Sequence, residues 1–123
     1  MSAPSLANYI VKRPALTRFL MPIAEWYTNA SGYRRLGLRY DDLIPEENDT
    51  VQTAIKRLPA KEAYDRVFRL RRAFQLSLSH QLLPAAEQTK PEEDVEYLSP
   101  IIREVESEKK EREELDTIVV KRN

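Results

Sequence analysis

The sequence contains no cysteine, and this absence excludes several kinds of chemistry. Without cysteine the chain can form no disulfide framework, no thiolate nucleophile and no cysteine-based metal site. Neither redox chemistry within this chain nor an oxidising compartment is therefore indicated.

Histidine and glycine are almost as scarce. His80 is the only histidine, so we interpret it as a partly buried polar residue of a helix rather than as a general base or metal ligand. Two glycines cannot build the phosphate-binding loops or nucleophile turns of nucleotide and acyl-transfer enzymes. We predict that the chain is not an enzyme and binds no metal or cofactor itself.

Long hydrophobic runs are also missing. The longest apolar run covers residues 19–24 and contains Pro22, whereas a membrane-spanning helix needs roughly 20 apolar residues. We therefore predict no transmembrane helix.

Acidic residues are absent before Glu25, while three basic ones stand among serine, threonine and apolar residues. Two interpretations remain open: a mitochondrial targeting segment, or a basic amphipathic surface that binds a partner. For the second, the candidate contacts are Tyr9, Lys12, Arg13, Arg18 and Trp26.

The charges cancel over the whole chain but not locally. Twenty basic and twenty acidic side chains give a formal net charge of zero. Residues 1–40 and 51–75 are basic, whereas residues 41–50 and 76–123 are acidic. No overall field directs the chain to nucleic acid or membranes, although each stripe can attract an oppositely charged surface.

Helical periodicity predicts an all-α fold within a single domain, 1–123. We divide it into a basic N-terminal arm at 1–13, a helical body at 14–84, a charged helical region at 89–114 and a tail at 115–123. The expected helices are broken by prolines. Their predicted features are a helix from Pro14 to a cap at Gly32 that Pro22 kinks or splits, a short helix from Asp49 to Pro59, and a long helix at 60–83 stopped by Pro84.

The charged region is expected to begin as a helix at Thr89 and to restart at Ser99, with Pro100 in its first turn. Beyond it, residues 117–120 are β-branched and lack a strand in this chain to pair with. We expect this extended tail to add a strand to the sheet edge of another protein, through Ile118, Val119 and Val120.

The long helix carries an apolar stripe at three- and four-residue steps and arginines on another face. The arginines, interleaved with two phenylalanines, resemble a nucleic-acid-binding face, which gives one alternative function: a stand-alone helical binding module. Ion pairing with the acidic stretches or with an acidic partner is the favoured interpretation. The stripe is Ala63, Val67, Leu70, Phe74, Leu78 and Leu82, and the arginines are Arg66, Arg69, Arg71 and Arg72.

Three segments together carry a resemblance to a known family. They are GYRRLGLRYDDLIPEEND at 32–49, AIKRLPAKEAYDRVFRLRRAFQLSLSHQLLP at 54–84 and KPEEDVEYLSPIIREVE at 90–106. In order and spacing they resemble the 14 kDa subunits of mitochondrial ubiquinol-cytochrome c reductase, respiratory complex III. The resemblance extends from about Tyr9 to Glu114.

The resemblance implies a non-catalytic accessory subunit that is peripheral to the mitochondrial inner membrane, on its matrix side. The expected partners are cytochrome b, the core proteins and other subunits of the complex, with anionic lipid contacts at the basic start and no nucleic acid. Haem and the iron-sulfur centre are expected in those partners.

In that setting the acidic loop has one further candidate role. Its carboxylates, Asp41, Asp42, Glu46 and Glu47, could lie where protons enter toward the quinone-reduction site of cytochrome b. The alternative interpretation is an acidic loop that pairs with arginines.

Overall fold

The computed structural model describes residues 5–118 of the 123-residue chain. Within that range the chain is helical and contains no β-strand, so the predicted all-α class is confirmed. The elements are α1 (Ala7–Val11), α2 (Pro14–Ala30), two short 3-10 helices (Tyr33–Leu36 and Tyr40–Leu43), α3 (Asp49–Lys56), α4 (Ala60–Leu78) and α5 (Ser99–Asp116).

The chain divides into two compact units, Met1–Gly32 and Tyr33–Asn123. The single domain stays a prediction. None of the described helices is both long and apolar enough to cross a membrane.

The first unit is a helix pair. The hydroxyl of Thr17 in α2 donates a hydrogen bond of 2.7 Å to the carbonyl of Ile10 in α1. Helix α2 begins at Pro14 and is followed by Gly32 at φ +83°, as the sequence predicts. Pro22 lies inside α2 without splitting it, because proline removes only one backbone hydrogen bond from a helix of 17 residues. Of the two effects predicted for Pro22, the split is therefore wrong, and the kink stays a prediction.

The second unit has its core between α3 and α5. Asn48 caps α3 by accepting a hydrogen bond from the backbone N–H of Thr50 at 2.9 Å, one residue before the predicted cap. The apolar residues Val51 and Ala54 lie on one side of α3 and pack inward. The buried residues of this cluster are Val51, Ala54, Leu58, Leu98 and Val105.

A second, smaller cluster joins α4 to the first 3-10 helix. Tyr33, Leu38 and Ala73 are its buried members. Gly37 lies beside it at φ +75°, where a Cβ atom would approach an Nη2 nitrogen of Arg72 to 2.2 Å. The chain therefore needs glycine here for both conformation and space.

Helix α4 ends at Leu78, several residues before the predicted stop at Pro84. His80 follows in the left-handed conformation, with φ +54°. Its N–H bonds to the carbonyl of Ser77 at 3.2 Å, and the N–H of Gln81 bonds to the carbonyl of Leu76 at 3.0 Å. These two bonds form a Schellman motif, which ends a helix by satisfying its last carbonyls. His80 is thus an exposed helix-ending residue, and its prediction as a partly buried helix residue was wrong.

Helix α5 begins at Ser99, with Pro100 in its first turn as predicted. The expected helix from Thr89 does not form, and residues 89–98 are turns and irregular chain. Their polar groups bond to the first 3-10 helix and to the segment after it, including a bond of 3.1 Å from the N–H of Thr89 to the carbonyl of Arg34. Bonds to these distant segments replace the local bonds of a helix.

The predicted strand in the tail is not confirmed. Thr117 is the C-cap of α5, with its N–H bonded to the carbonyl of Glu113 at 3.1 Å, so it completes the helix instead of starting a strand. Ile118 is exposed and lies in no strand. Val119 and Val120 fall outside the described residues.

Candidate functional site

Helix α4 buries arginines rather than apolar side chains. Arg66 and Arg69 are 2% and 8% exposed, and the only other buried residue of the helix is Ala73. Arg69 donates from Nε and Nη2 to the two carboxylate oxygens of Asp42, at 2.7 and 3.0 Å. This forked pair is the strongest geometry for an arginine and a carboxylate.

Arg66 extends the network to three other groups. It donates to the backbone carbonyl of Asp41 at 3.1 Å, to the Tyr97 hydroxyl at 2.8 Å and to Glu46 at 3.0 Å. The Tyr97 hydroxyl in turn donates to Asp42. The favoured sequence interpretation, ion pairing between the arginines and the acidic loop, is confirmed for Arg66 and Arg69.

The pKa of Asp42 lies below its ordinary value. Burial alone raises this pKa, but the hydrogen bonds from Arg69, from Tyr97 and from the backbone N–H of Arg39 outweigh it. Burial and the bond to Asp42 raise the pKa of Tyr97. The network therefore holds a charged carboxylate beside a neutral phenol at neutral pH.

The side chain of Asp41 bonds to a different helix from that of its neighbour Asp42. Its side chain accepts hydrogen bonds of 2.9 Å from the backbone N–H groups of Leu98 and Ser99, and one of 2.6 Å from the Ser99 hydroxyl. It is 1% exposed. Asp41 thus caps α5 from a distant part of the chain, because the helix's own N-cap residue, Leu98, has no side-chain oxygen to offer.

The carboxylate of Asp94 binds the segment before α5 to the two 3-10 helices. Asp94 accepts from the hydroxyl of Tyr33, from Nε of Arg34 at 3.0 Å and from the backbone N–H of Tyr40 at 2.8 Å. Burial raises the pKa of Asp94, but these bonds lower it by more, so its pKa is below the ordinary value. Burial and then the bond to Asp94 raise the pKa of Tyr33 to about 12.

The structure separates the four carboxylates predicted to admit protons. Asp41 and Asp42 are buried and committed to the contacts above. The Glu46 side chain is 55% exposed while pairing with Arg66, and Glu47 is exposed. Of the four carboxylates, only these two glutamates are exposed to solvent.

Much of the predicted apolar stripe of α4 faces solvent, although Ala63 and Leu70 are partly buried and pack against the two core clusters. Phe74 and Leu78 are 67% and 68% exposed, because the opposite side of the helix is occupied by the buried arginines. Tyr64 and Phe68 are exposed on the same side. Arg66 and Arg69 are therefore unavailable to a phosphate backbone, and only Arg71 remains fully exposed among the four arginines of the nucleic-acid alternative.

The first unit presents a second uncovered apolar face. Helix α2 has no buried residue, and Phe19, Trp26 and Tyr27 are each about 70% exposed. These positions recur on one side of a helix with 3.6 residues per turn. The predicted contacts Tyr9, Lys12, Arg13 and Arg18 are also exposed or nearly so in this unit, and the Arg13 guanidinium lies 4.3 Å from the centroid of the Tyr9 ring.

Sequence reasoning missed the residues that join the acidic loop to the rest of the unit. Tyr33, Asp94 and Tyr97 carry no distinctive motif, since single tyrosines and aspartates are common on helical surfaces. The three-residue spacing of Arg66 and Arg69 was a usable signal, because it places both on one side of a helix. From residue 5 to residue 118, no group of three or more His, Asp or Glu side chains could hold a metal ion.

Comparison with known proteins gives a consistent result along the chain. The family model described as "Ubiquinol-cytochrome C reductase complex 14kD subunit" matches residues 14–113. The chain is 55% identical over 123 residues to "Cytochrome b-c1 complex subunit 7" of Neurospora crassa, covering 100% of both proteins. It is 48% identical over 119 residues to "Cytochrome b-c1 complex subunit 7, mitochondrial" of Saccharomyces cerevisiae, covering 97% of this chain and 94% of the relative.

A vertebrate relative is similar as well. "Cytochrome b-c1 complex subunit 7" of Pongo abelii is 50% identical over 97 residues, covering 79% of this chain and 86% of the relative.

Proposed function

The chain belongs to the family of 14 kDa subunits of the ubiquinol-cytochrome c reductase complex, and on that basis we propose that it is a non-catalytic accessory subunit of that complex. Its role is to support the assembly and stability of cytochrome b and the core proteins on the matrix side of the mitochondrial inner membrane. Electron transfer from ubiquinol to cytochrome c depends on it indirectly, because the haem and iron-sulfur centre belong to its partners.

The observation that carries this proposal beyond family membership is the uncovered apolar face of α2. A helix without a buried residue gains little from tertiary packing within its own unit, yet most helical stability in proteins comes from such packing. Burying a large apolar side chain is favourable by roughly 2 kcal/mol. A partner surface that covers Phe19, Ile23, Trp26 and Tyr27 therefore supplies what this unit lacks.

The charge of the same unit supports a second contact, with anionic lipid. Lys12, Arg13 and Arg18 precede the first acidic residue, Glu25. Basic side chains near a membrane surface each gain about 1 kcal/mol from anionic head groups. The first unit thus combines an apolar face for membrane-embedded partners with positive charge for the lipid around them.

The test replaces the cell's own subunit with variants of the full chain. Phe19→Ser combined with Trp26→Ser should lower the amount of assembled complex on a native gel about tenfold, because central aromatic residues dominate interface energies. The matched control is Glu25→Ser, which lies outside the apolar stripe and should leave assembly unchanged. Normal assembly in the double variant would contradict the role of α2.

Deletion of residues 1–13 tests the N-terminal arm separately. Assembly should fall, and the loss should be smaller in mitochondria with reduced anionic lipid, because the contribution of Lys12 and Arg13 is already weakened there. An undiminished complex would show that the arm is not a docking element.

The alternative of a stand-alone binding module makes an opposite prediction. Such a chain would form a free pool that does not migrate with cytochrome b, and its binding to polynucleotide would weaken steeply with salt. The burial of Arg66 and Arg69 in ion pairs weighs against it.

A further inference from the structure

Besides the apolar face of α2, the apolar face of α4 is also uncovered. Five large residues that lie toward one side of the helix are each between 46% and 75% exposed. They are Tyr64, Val67, Phe68, Phe74 and Leu78.

Because the arginine side of α4 is buried, the exposure of its apolar side is a fixed property of the fold. Arg66 and Arg69 are held on the opposite side by Asp42, Glu46 and Tyr97. Rotating the helix to bury its apolar face would break the forked Arg69 pair and leave buried charges uncompensated, which is strongly unfavourable. The apolar face of α4 can therefore be covered only from outside the part of its own unit that the structure describes, residues 33–118.

The charge around this face is positive. A groove of about 270 Å³ is lined by Tyr64, Val67, Phe68, Arg71, Arg72 and Gln75, so it has two arginines and no carboxylate. Among the described residues Arg71 forms no ion pair, although the rest of the unit is rich in acids.

Arg72 is held at the groove by contacts within the chain. Nε of Arg72 is buried and has no hydrogen-bond partner, while its Nη2 donates to the carbonyl of Gly37 at 3.3 Å. The guanidinium lies 5.2 Å from the centroid of the Phe68 ring, which holds it at the wall of the groove.

We propose that the groove on α4 is a docking site for a segment of a partner protein that carries a carboxylate next to a bulky apolar side chain. The apolar side chain covers Phe68 in the groove, the segment continues over Phe74 on the same side of the helix, and the carboxylate pairs with Arg71. This inference rests on the proposed function, since the partner is another subunit of the same complex.

The test uses a photoreactive residue in the assembled complex. The full chain, with benzoylphenylalanine in place of Phe74, replaces the cell's own subunit, and the purified complex is irradiated. The expected adduct joins position 74 to one other protein subunit, through a peptide that contains Asp or Glu beside an apolar residue. The same probe at Glu106, on the charged face of α5, is the control and should give at least tenfold less of that adduct.

Charge variants then test the recognition itself. Arg71→Glu should reduce the Phe74 adduct about tenfold or more, because a like-charge contact replaces an ion pair, whereas Arg71→Lys should retain most of it. Both variants should melt at the temperature of the unchanged chain, because Arg71 is exposed.

Each other outcome has a definite meaning. An adduct to lipid or to a second copy of this chain, or no adduct in a complex that contains the chain, would overturn the docking site and leave the proposed function intact. Assembly of a full complex without the chain would overturn the proposed function and this inference with it.

Discussion

The carboxylate of Asp41 accepts hydrogen bonds from both the backbone N–H and the hydroxyl of Ser99, 58 residues later in the chain. Side-chain caps usually come from the residue at the helix start, so this contact makes the start of α5 depend on the acidic loop. Asp41 and its neighbour Asp42 therefore fasten two different helices, α5 and α4, to one short segment.

Asp41→Ala should lower the free energy of unfolding of the full chain by about 2 to 4 kcal/mol, because it leaves buried donors without an acceptor. Urea unfolding followed by circular dichroism measures this. Asp49→Ala is the matched control, because Asp49 is exposed, and it should change the free energy of unfolding by less than about 0.5 kcal/mol. Equal effects of the two substitutions would contradict the capping role.

Arg69→Met should lower the free energy of unfolding by about 3 to 5 kcal/mol, since it leaves the buried carboxylate of Asp42 without its forked partner. Arg71→Met, two residues away on the exposed side, should change it by less than about 0.5 kcal/mol. Chemical denaturation distinguishes these values readily. A small effect at Arg69 would mean that Arg66 and Tyr97 are sufficient to stabilise Asp42.

The stability of the chain should fall in acid. The pKa values of Asp42 and Asp94 in the folded chain lie below the ordinary 3.8, so the folded state binds fewer protons than the unfolded state in this range. Their contribution is complete above that ordinary value and is lost as the pH falls through the lower folded values. Melting temperatures between pH 7 and pH 2 should show this decline, and Asp94→Asn should make it shallower. An unchanged slope in Asp94→Asn would contradict the assignment.

Two positions with positive φ should respond oppositely to substitution. Gly37→Ala should destabilise the chain by about 1 to 3 kcal/mol, because a Cβ atom meets Arg72 and the left-handed conformation disfavours it. His80→Gly should stabilise the chain by roughly 0.5 kcal/mol, because glycine adopts the Schellman position without the steric penalty of a side chain. Thermal melts of the two variants should shift in opposite directions.

Proton entry through the acidic loop stays a prediction that now concerns Glu46 and Glu47. Glu47→Gln should slow turnover of the assembled complex and alter its inhibitor response if this residue passes protons toward cytochrome b. Glu46→Gln also weakens the ion pair with Arg66, so a melting curve must accompany it. Unchanged turnover in both variants would leave the loop with its structural role alone.

Local signals allowed much of the helical layout to be predicted. Pro14 and Gly32 mark the two ends of α2, the stripe of Val51 and Ala54 identifies α3, and Ser99 with Pro100 marks the start of α5. Each of these features depends on residues that are close together in the sequence, so it can be recognised from the sequence alone. The family resemblance, confirmed from residue 14 to residue 113, came from longer segments of the same sequence.

Predictions from local sequence signals were wrong at two places, residues 89–98 and the end of α4. Residues 89–98 carry a capping-box pattern but bond to the first 3-10 helix and the segment after it. The stop of α4 depended on His80 adopting a conformation that histidine adopts only occasionally, and Pro84 was the more obvious signal.

Local patterns in the sequence were enough to predict the main helices, the apolar and arginine spacings of α4, and the family of the chain. Contacts between distant segments settled which side of α4 is buried. Asp42 and Tyr97 come from segments far apart in sequence, and together with Asp41 and Glu46 they give the arginines enough hydrogen bonds to offset their desolvation. With the arginines held inside, the apolar side of α4 remains outside, where a partner can cover it.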